Sequence, residues 1–327
     1  MDFKEQIKES PKQYKQGFSL SKNLVLHPFK RIIICGMGGS AFAPELLAAF
    51  MRVQYNYQKP IIVNRQYDLP VAISDLNEND LVILSSYSGN TEETLSCAKQ
   101  AITTKAQSIV ITAGGELKQI AIKHKQLLIE PPVGLQHRCA TGFFFSSLLQ
   151  ILINSGDIPN EAKEKVIEAT SGLKPVDFKI KAKELAAIMK NKTTCFYSDE
   201  SLLTVAMACK IKLNENSKAP AFYNQLPEAN HNELNGFAQE KQSRRFTVIF
   251  LQHTGMHPQI IKRIKATTQL YVKSGVTCQT ITLPGNTWIK RAAYALYLLD
   301  WVSYYLALKY KIDPEEVQMV EQLKKML

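Results

Sequence analysis

The stretch Asp80-Leu81-Val82-Ile83-Leu84-Ser85-Ser86-Tyr87-Ser88-Gly89-Asn90-Thr91-Glu92-Glu93-Thr94 changes character twice in quick succession. Leu81–Leu84 is a short apolar run, the pattern of a buried strand, and Leu95 to Ile102 reads as a helix. Between them lies a loop rich in hydroxyls that contains one glycine. The first N–H groups of a helix lack internal partners and favour an anion, and nearby hydroxyls add donors. The loop has no lysine, so it is not a nucleotide P-loop. One reading makes it a capped turn, with Asn90 or Thr91 capping and Glu92 and Glu93 complementing the helix dipole. Capping needs a single side chain, whereas the run supplies the hydroxyls of Ser85, Ser86, Ser88, Thr91 and Thr94. The surplus favours phosphate binding.

Working outward, the same strand–loop–helix joint occurs upstream. Arg31-Ile32-Ile33-Ile34-Cys35 is a buried strand, followed by Gly36-Met37-Gly38-Gly39-Ser40 and an apolar helix over 41–51. Further strands are expected at 60–64, 108–112 and 127–129, with helices at 91–103 and 116–123. Gly142 to Asn154 is a long apolar helix. Breaks follow at Ser155–Asn160 and at Gly172-Leu173-Lys174-Pro175, and then the pattern restarts. Strands are expected at 193–197, 246–252 and 276–283. Helices are expected at 202–214, 258–274 and 287–310, with a short last helix capped by Asp313 and opened by Pro314. Strands alternating with helices predict α/β architecture, each domain a parallel β-sheet flanked by helices on both faces. The expected division is a first domain over 1–155, a helical connection over 156–180 and a second domain over 181–327. No strong internal sequence repeat is present.

The chain has 327 residues, 45% hydrophobic and 21% charged, which are globular values and suit two domains. Its formal net charge of +11 favours anionic partners. The lysines are dispersed, and no run of five basic residues occurs, which argues against a nucleic-acid tail. Six cysteines are scattered without a C-x-x-C pair, as in a reducing compartment. No window reaches the ~18 apolar residues of a membrane helix, and the amino terminus is mixed in charge, unlike a signal peptide. A cytoplasmic location is the expectation.

The glycine loop and the Ser85-Tyr87-Ser88-Gly89-Asn90-Thr91 loop together resemble the sugar isomerase (SIS) domain family. Leu213-Asn214-Glu215-Asn216-Ser217-Lys218 and Leu226-Pro227-Glu228-Ala229-Asn230-His231-Asn232-Glu233-Leu234 narrow the resemblance to the bifunctional phosphoglucose/phosphomannose isomerases. The resemblance covers nearly the whole chain. It implies two SIS-type domains plus a C-terminal helix, and a homodimer with sites at the subunit interface. It implies no metal and no cofactor, and a sugar phosphate as substrate.

Interconverting an aldose 6-phosphate and a ketose 6-phosphate requires an anchored phosphate, an opened ring, one base and a stabilised enediolate. The anchor is expected in Ser85, Tyr87, Ser88, Asn90 and Thr91, with Gly38, Gly39 and Ser40 against the sugar. The resemblance makes Glu215 the base that carries a proton between C2 and C1. From residue type alone, Glu228 and Glu233 are equal candidates. It makes His231 the ring-opening group, contributed across the dimer interface, a histidine being the side-chain type suited to proton transfer near neutral pH. Arg138 matches the cation that stabilises the enediolate, although His137 stands where the family usually has proline. Lys324, with Lys325 as the alternative, matches a lysine that closes the site. Phe42-Ala43-Pro44-Glu45 departs from the small residues usual after the glycine loop.

Other readings are weaker. Gly36-x-Gly38 shares the start of a dinucleotide fingerprint, but no acidic residue closes the strand at 60–64. His253 and His257 have the i, i+4 spacing of a zinc pair, but Gly255 and Pro258 make the segment a loop–helix junction. Cys139 has no evident base beside it. A non-catalytic sugar-phosphate sensor would need the anchor but neither Glu215 nor His231.

Overall fold

Ile32, Ile33 and Ile34 and the run Leu81–Leu84 are essentially buried on both faces, as strands sandwiched between helical layers must be. The computed structural model describes residues 1–326 and divides into two units, Met1–Gly172 and a second from Leu173 onward.

In the first unit the strands β1 (Arg31–Cys35), β2 (Ile61–Asn64), β3 (Asp80–Ser85), β4 (Gln107–Ile111) and β5 (Leu127–Ile129) form one parallel sheet in the order β2-β1-β3-β4-β5. Its helices are α1 (Phe3–Leu20), α2 (Gly38–Tyr55), α3 (Glu92–Ala101), α4 (Gly115–Lys123), α5 (Thr141–Asn154) and α6 (Glu161–Ser171). Ile33, Cys35, Val82 and Leu84 form a core with Leu95 and Ala98 of α3 and Leu117 of α4. Their strand neighbours project to the other face, where α1 and α2 pack on α5. The mixed-charge amino terminus thus carries an unexpected helix. Phe3, Ile7, Tyr14 and Phe18 of α1 are buried along one helical face, despite Pro11 within it.

In the second unit β6 (Thr193–Ser198), β7 (Ala221–Gln225), β8 (Phe246–Gln252) and β9 (Thr277–Thr282) form a parallel sheet ordered β7-β6-β8-β9. Its helices are α7 (Pro175–Met189), α8 (Leu203–Ser217), the short α9 (Ala229–Asn232) and α10 (Glu240–Ser243), α11 (Pro258–Lys273), α12 (Trp288–Tyr310) and α13 (Gln318–Met326). Both α7 and α8 pack against α12. The one carboxylate that interrupts the apolar face of α12, Asp300, is paired with Lys212 of α8. The edge strand β7 was not expected, because Phe222 and Tyr223 are both exposed and no alternation marks it.

The helical connection expected over 156–180 is divided between the units: α6 packs on α1, and α7 opens the second unit. The last helix starts at Gln318 rather than after Pro314. Asp313 Oδ1 instead accepts the Glu315 N–H at 2.8 Å in a turn. No helix among the described residues is long and apolar enough to cross a membrane.

Candidate functional site

In a parallel sheet, ligands sit outside the carboxyl ends of the strands where the strand order reverses. In the first unit that point lies between β1 and β3. The glycine loop leaves β1 and the serine loop leaves β3, so the topology brings together the two segments singled out in the sequence.

They touch through positions where a side chain would not fit. A Cβ on Gly36 would lie 2.7 Å from the Ser85 carbonyl oxygen. One on Gly39 would lie 2.9 Å from the His137 carbonyl oxygen, so the loop that carries Arg138 closes on the same point. Gly38 has φ +49°, with open space around it. The first turn of α2 receives no side-chain cap.

Within the serine loop, the hydroxyls divide into two sets. Ser85, fully buried, donates to the Ser40 carbonyl at 3.1 Å, and Ser40 Oγ accepts the Tyr87 N–H at 3.1 Å. Tyr87 donates its phenol to the Pro132 carbonyl at 2.7 Å and accepts the Leu135 N–H at 2.9 Å. Burial pushes that phenol's pKa up, keeping it a donor. Ser40, Ser85 and Tyr87 therefore build the cradle and tie it to the Arg138 loop. Ser88 is exposed, and Thr91 pairs with Ser86 at 2.9 Å between hydroxyls.

Neither expected cap closes α3. Thr91 occupies the cap position without a side-chain bond to the helix. Asn90 Oδ1 instead accepts the Glu116 N–H at the start of α4, at 2.9 Å. Gly89 (φ +72°) is doubly required, since a Cβ there would fall 1.8 Å from the Gly114 carbonyl oxygen. The sequence reading missed this third loop, Thr112–Gly115, whose glycine pair after β4 was the available signal.

Arg138 sits half-buried in a short 3-10 turn, His137–Cys139. Its guanidinium reaches Gln136 Oε1 at 3.2 Å and lies 5.5 Å from the Phe3 ring centre. Helix α1 fixes this turn further: Gln6 Oε1 accepts the Gln136 N–H at 2.8 Å and Gln13 donates to the Cys139 carbonyl at 2.7 Å. No part of that support was anticipated.

Glu215 lies in the last turn of α8, half-buried. Its neighbours pin the helix end. Asn214 Oδ1 accepts the Ala221 N–H at 2.9 Å, Asn216 donates to Ser303 Oγ at 2.9 Å and Ser217 donates to the Ser303 carbonyl at 2.8 Å. The rival carboxylates are engaged elsewhere: Glu233 holds Tyr197 and, at 2.6 Å, Asn224, and Glu228 accepts from Asn232 at 2.8 Å.

His231 is exposed on α9. The flanking asparagines do not bond its ring. Asn230 donates to Thr267 Oγ1 at 2.8 Å, and Asn232 holds Glu228. The structure does not bring Glu215 and His231 of one chain together. Glu215 stands beside the amino end of β7 and His231 beyond its carboxyl end, and those five residues advance about 13 Å. Lys324 is exposed on α13 and pairs with Glu321 at 2.9 Å; Lys325 lies beside it, also exposed.

His253 and His257 have separate roles, as the loop–helix reading expects. His253 Nε2 lies 3.2 Å from Asp199 Oδ2, while His257 Nδ1 caps α11 by accepting the Gln259 N–H at 3.1 Å. Among the described residues no cluster of three His, Cys, Asp or Glu side chains has metal-binding geometry.

Known proteins resemble this chain over nearly its whole length. Residues 26–153 match the family profile described as SIS domain, and residues 178–327 match that of the bacterial phospho-glucose isomerase C-terminal SIS domain. A bifunctional phosphoglucose/phosphomannose isomerase from Caldicellulosiruptor bescii is 37% identical over 97% of this chain and 95% of its own. The protein of the same description from Aquifex aeolicus is 33% identical over 92% of both chains. Among solved structures, the C-terminal domain of glucosamine-fructose-6-phosphate aminotransferase from Francisella tularensis superposes with a TM-score of 0.72 at 14% identity, covering 96% of this chain and 98% of that one. At that identity the likeness shows the fold alone.

Proposed function

This chain belongs to the bifunctional phosphoglucose/phosphomannose isomerase family, and from that premise we propose how its residues divide the work. It is an aldose–ketose isomerase that interconverts glucose 6-phosphate and mannose 6-phosphate with fructose 6-phosphate. The observation that carries the assignment of roles is the uncapped, hydroxyl-lined start of α3 at the reversal point of the first sheet.

The substrate phosphate docks on the first-turn N–H groups of α3, with the Ser88 and Thr91 hydroxyls and the Asn90 amide as further donors. Ser85, Ser40 and Tyr87 hold that loop, and Gly38 and Gly39 admit the sugar. Anchoring the unreactive end fixes C1 and C2 against the catalytic groups. His231 moves a proton between O5 and O1 to open the ring. Glu215 then takes the C2 proton and returns it to C1, while a proton passes between the two oxygens, giving the ketose. Arg138 carries the charge of the enediolate between these steps, and Lys324 closes over the substrate.

The active protein is a homodimer in which one site takes Glu215 and His231 from different chains. What supports this is β7, which keeps the two residues of one chain apart, and α13, which leaves Val320 and Leu323 exposed for a partner to cover. The setting is cytoplasmic, consistent with six free cysteines.

Fructose 6-phosphate formation from each aldose, with a chelator present, tests the reading. Turnover of both sugars that Glu215→Gln abolishes is the expected result. Sugar-phosphate binding with no turnover in the parent protein would refute it.

A further inference from the structure

The turn that carries His231 is too short to hold itself. Helix α9 has four residues, Ala229–Asn232, far below the ~12 at which an isolated helix becomes even marginal in water. Its shape therefore depends on what it touches. Ala229 joins the core of the second unit beside Leu226 and Tyr197. Two polar side chains, one on each side of His231, fix the rest.

Asn230 faces α11. Its amide donates to Thr267 Oγ1 at 2.8 Å, and its Oδ1 accepts from the Arg263 guanidinium at 3.3 Å. Glu233, which ends α9, faces the sheet. Its Oε1 accepts from the Asn224 amide at 2.6 Å, and its Oε2 accepts from the Tyr197 phenol. Tyr197 and Asn224 are opposite one another in the parallel register of β6 and β7, so one carboxylate spans two strands. Both donors are themselves set. Asn224 Oδ1 accepts the Gln225 N–H at 2.7 Å, which turns its NH2 group toward Glu233. Burial pushes the pKa of the Tyr197 phenol up and keeps it a donor. At 1% exposure that phenol has no solvent to turn to instead.

The clamp requires a carboxylate. Others drawn inward in this fold meet a cation, as Asp157 meets Lys59 and Asp300 meets Lys212. Glu233 forms no ion pair with a described residue and has two neutral donors in its place. Two acceptor oxygens satisfy both, whereas a glutamine would turn its own NH2 group against one of them. His231 itself is exposed, and no described residue hydrogen-bonds its ring. The imidazole is placed by the turn alone.

We propose that Glu233 is the positioning residue for His231: by clamping the end of α9 to Tyr197 and Asn224, it holds the imidazole where the ring-opening proton is moved. This rests on the reading of His231 as the ring-opening group. Glu233 acts through His231 and not on the sugar. Displacing a catalytic group by about 1 Å costs on the order of a hundredfold in rate, so a small shift of α9 is enough to matter.

Steady-state formation of fructose 6-phosphate from glucose 6-phosphate tests this, with each variant assayed well below its own melting temperature. Glu233→Gln should lower kcat at least about tenfold and leave KM within about twofold. On the residual rate of His231→Ala, measured at high enzyme concentration, the same change should cost less than about twofold, because no imidazole is left to place. Adding Asn224→Asp to Glu233→Gln gives every donor an acceptor again: the introduced amide donates to the introduced carboxylate, and the Tyr197 phenol keeps its acceptor. That pair should regain most of the parental kcat, which separates a lost clamp from lost folding. Parental kcat in Glu233→Gln would overturn the proposal. So would an equal loss with and without His231, or a folded pair that recovers nothing. Parental turnover in His231→Ala would refute the ring-opening role itself, and the proposal with it.

Discussion

Between the carboxyl ends of β1 and β3 lie glycines, hydroxyls and a helix start that no side chain caps; between those of β6 and β8 lie a carboxylate and an imidazole already joined to each other. The strand order reverses at both places, so both are positions where an α/β sheet binds ligands. In the second unit the crevice is filled by the protein itself. Asp199 Oδ1 accepts the Leu202 N–H at 3.2 Å and the Ser201 hydroxyl at 2.7 Å, and Oδ2 faces His253. The carboxylate takes a helix-start donor, whereas no side chain caps the start of α3. Burial pushes the Asp199 carboxyl up, but hydrogen bonds from His253 and Ser201 outweigh it and hold the group below its ordinary range. Equal topology therefore does not mean equal function. In the proposed division of labour, the first sheet's crevice binds the phosphate and the second unit contributes Glu215 from the end of α8 and His231 from α9.

This contrast predicts different kinetic signatures for the two units. Glu215→Gln should lower kcat by about 10²- to 10⁴-fold while sugar-phosphate affinity stays near that of the parent, because in the proposed roles it removes the base and no anchor. A large change in KM with kcat intact would reverse the division of labour. Gly89→Ala should act on the first unit alone. The added carbon meets the Gly114 carbonyl, the loop must move, and KM should rise by about a hundredfold. Ser88→Ala, which removes one charge-assisted donor from an exposed position, should raise KM about tenfold. If Ser88→Ala left KM unchanged, the phosphate would lie elsewhere on the loop.

Asp199→Asn is the matching change in the closed crevice. Steady-state parameters should stay within about twofold, and urea unfolding at pH 7 should show about 1–2 kcal/mol lost. The pH dependence fixes its origin. A carboxyl whose folded pKa is depressed contributes stability that is full above its unfolded value, near 3.8, and is lost as pH falls through the folded one. The gap between parent and variant should therefore narrow below pH ~4. A gap that persists there would mean the carboxylate charge is not what matters.

The first crevice was legible because its chemistry is local: hydroxyls and glycines stand at strand–helix joints, and the joints are marked by apolar runs. What builds the cradle was not legible. Tyr87 grips Pro132 and Leu135, and Gln6 and Gln13 of α1 grip the Arg138 turn, all across long separations in sequence. Strand β7 escaped notice because an edge strand with Phe222 and Tyr223 exposed shows no period of two. Glu215 was marked only by resemblance to a family, since composition does not separate it from Glu228 or Glu233.

The central claim, that Glu215 and His231 of one site come from two chains, is tested most directly by mixing. Glu215→Gln and His231→Ala proteins, each inactive alone, are denatured together, refolded and assayed for fructose 6-phosphate formation. Half the dimers are then mixed, and each mixed dimer has one intact site, so about a quarter of parental activity should return. No recovery, with mixed dimers demonstrated, would mean that each chain supplies its own pair and would contradict the account.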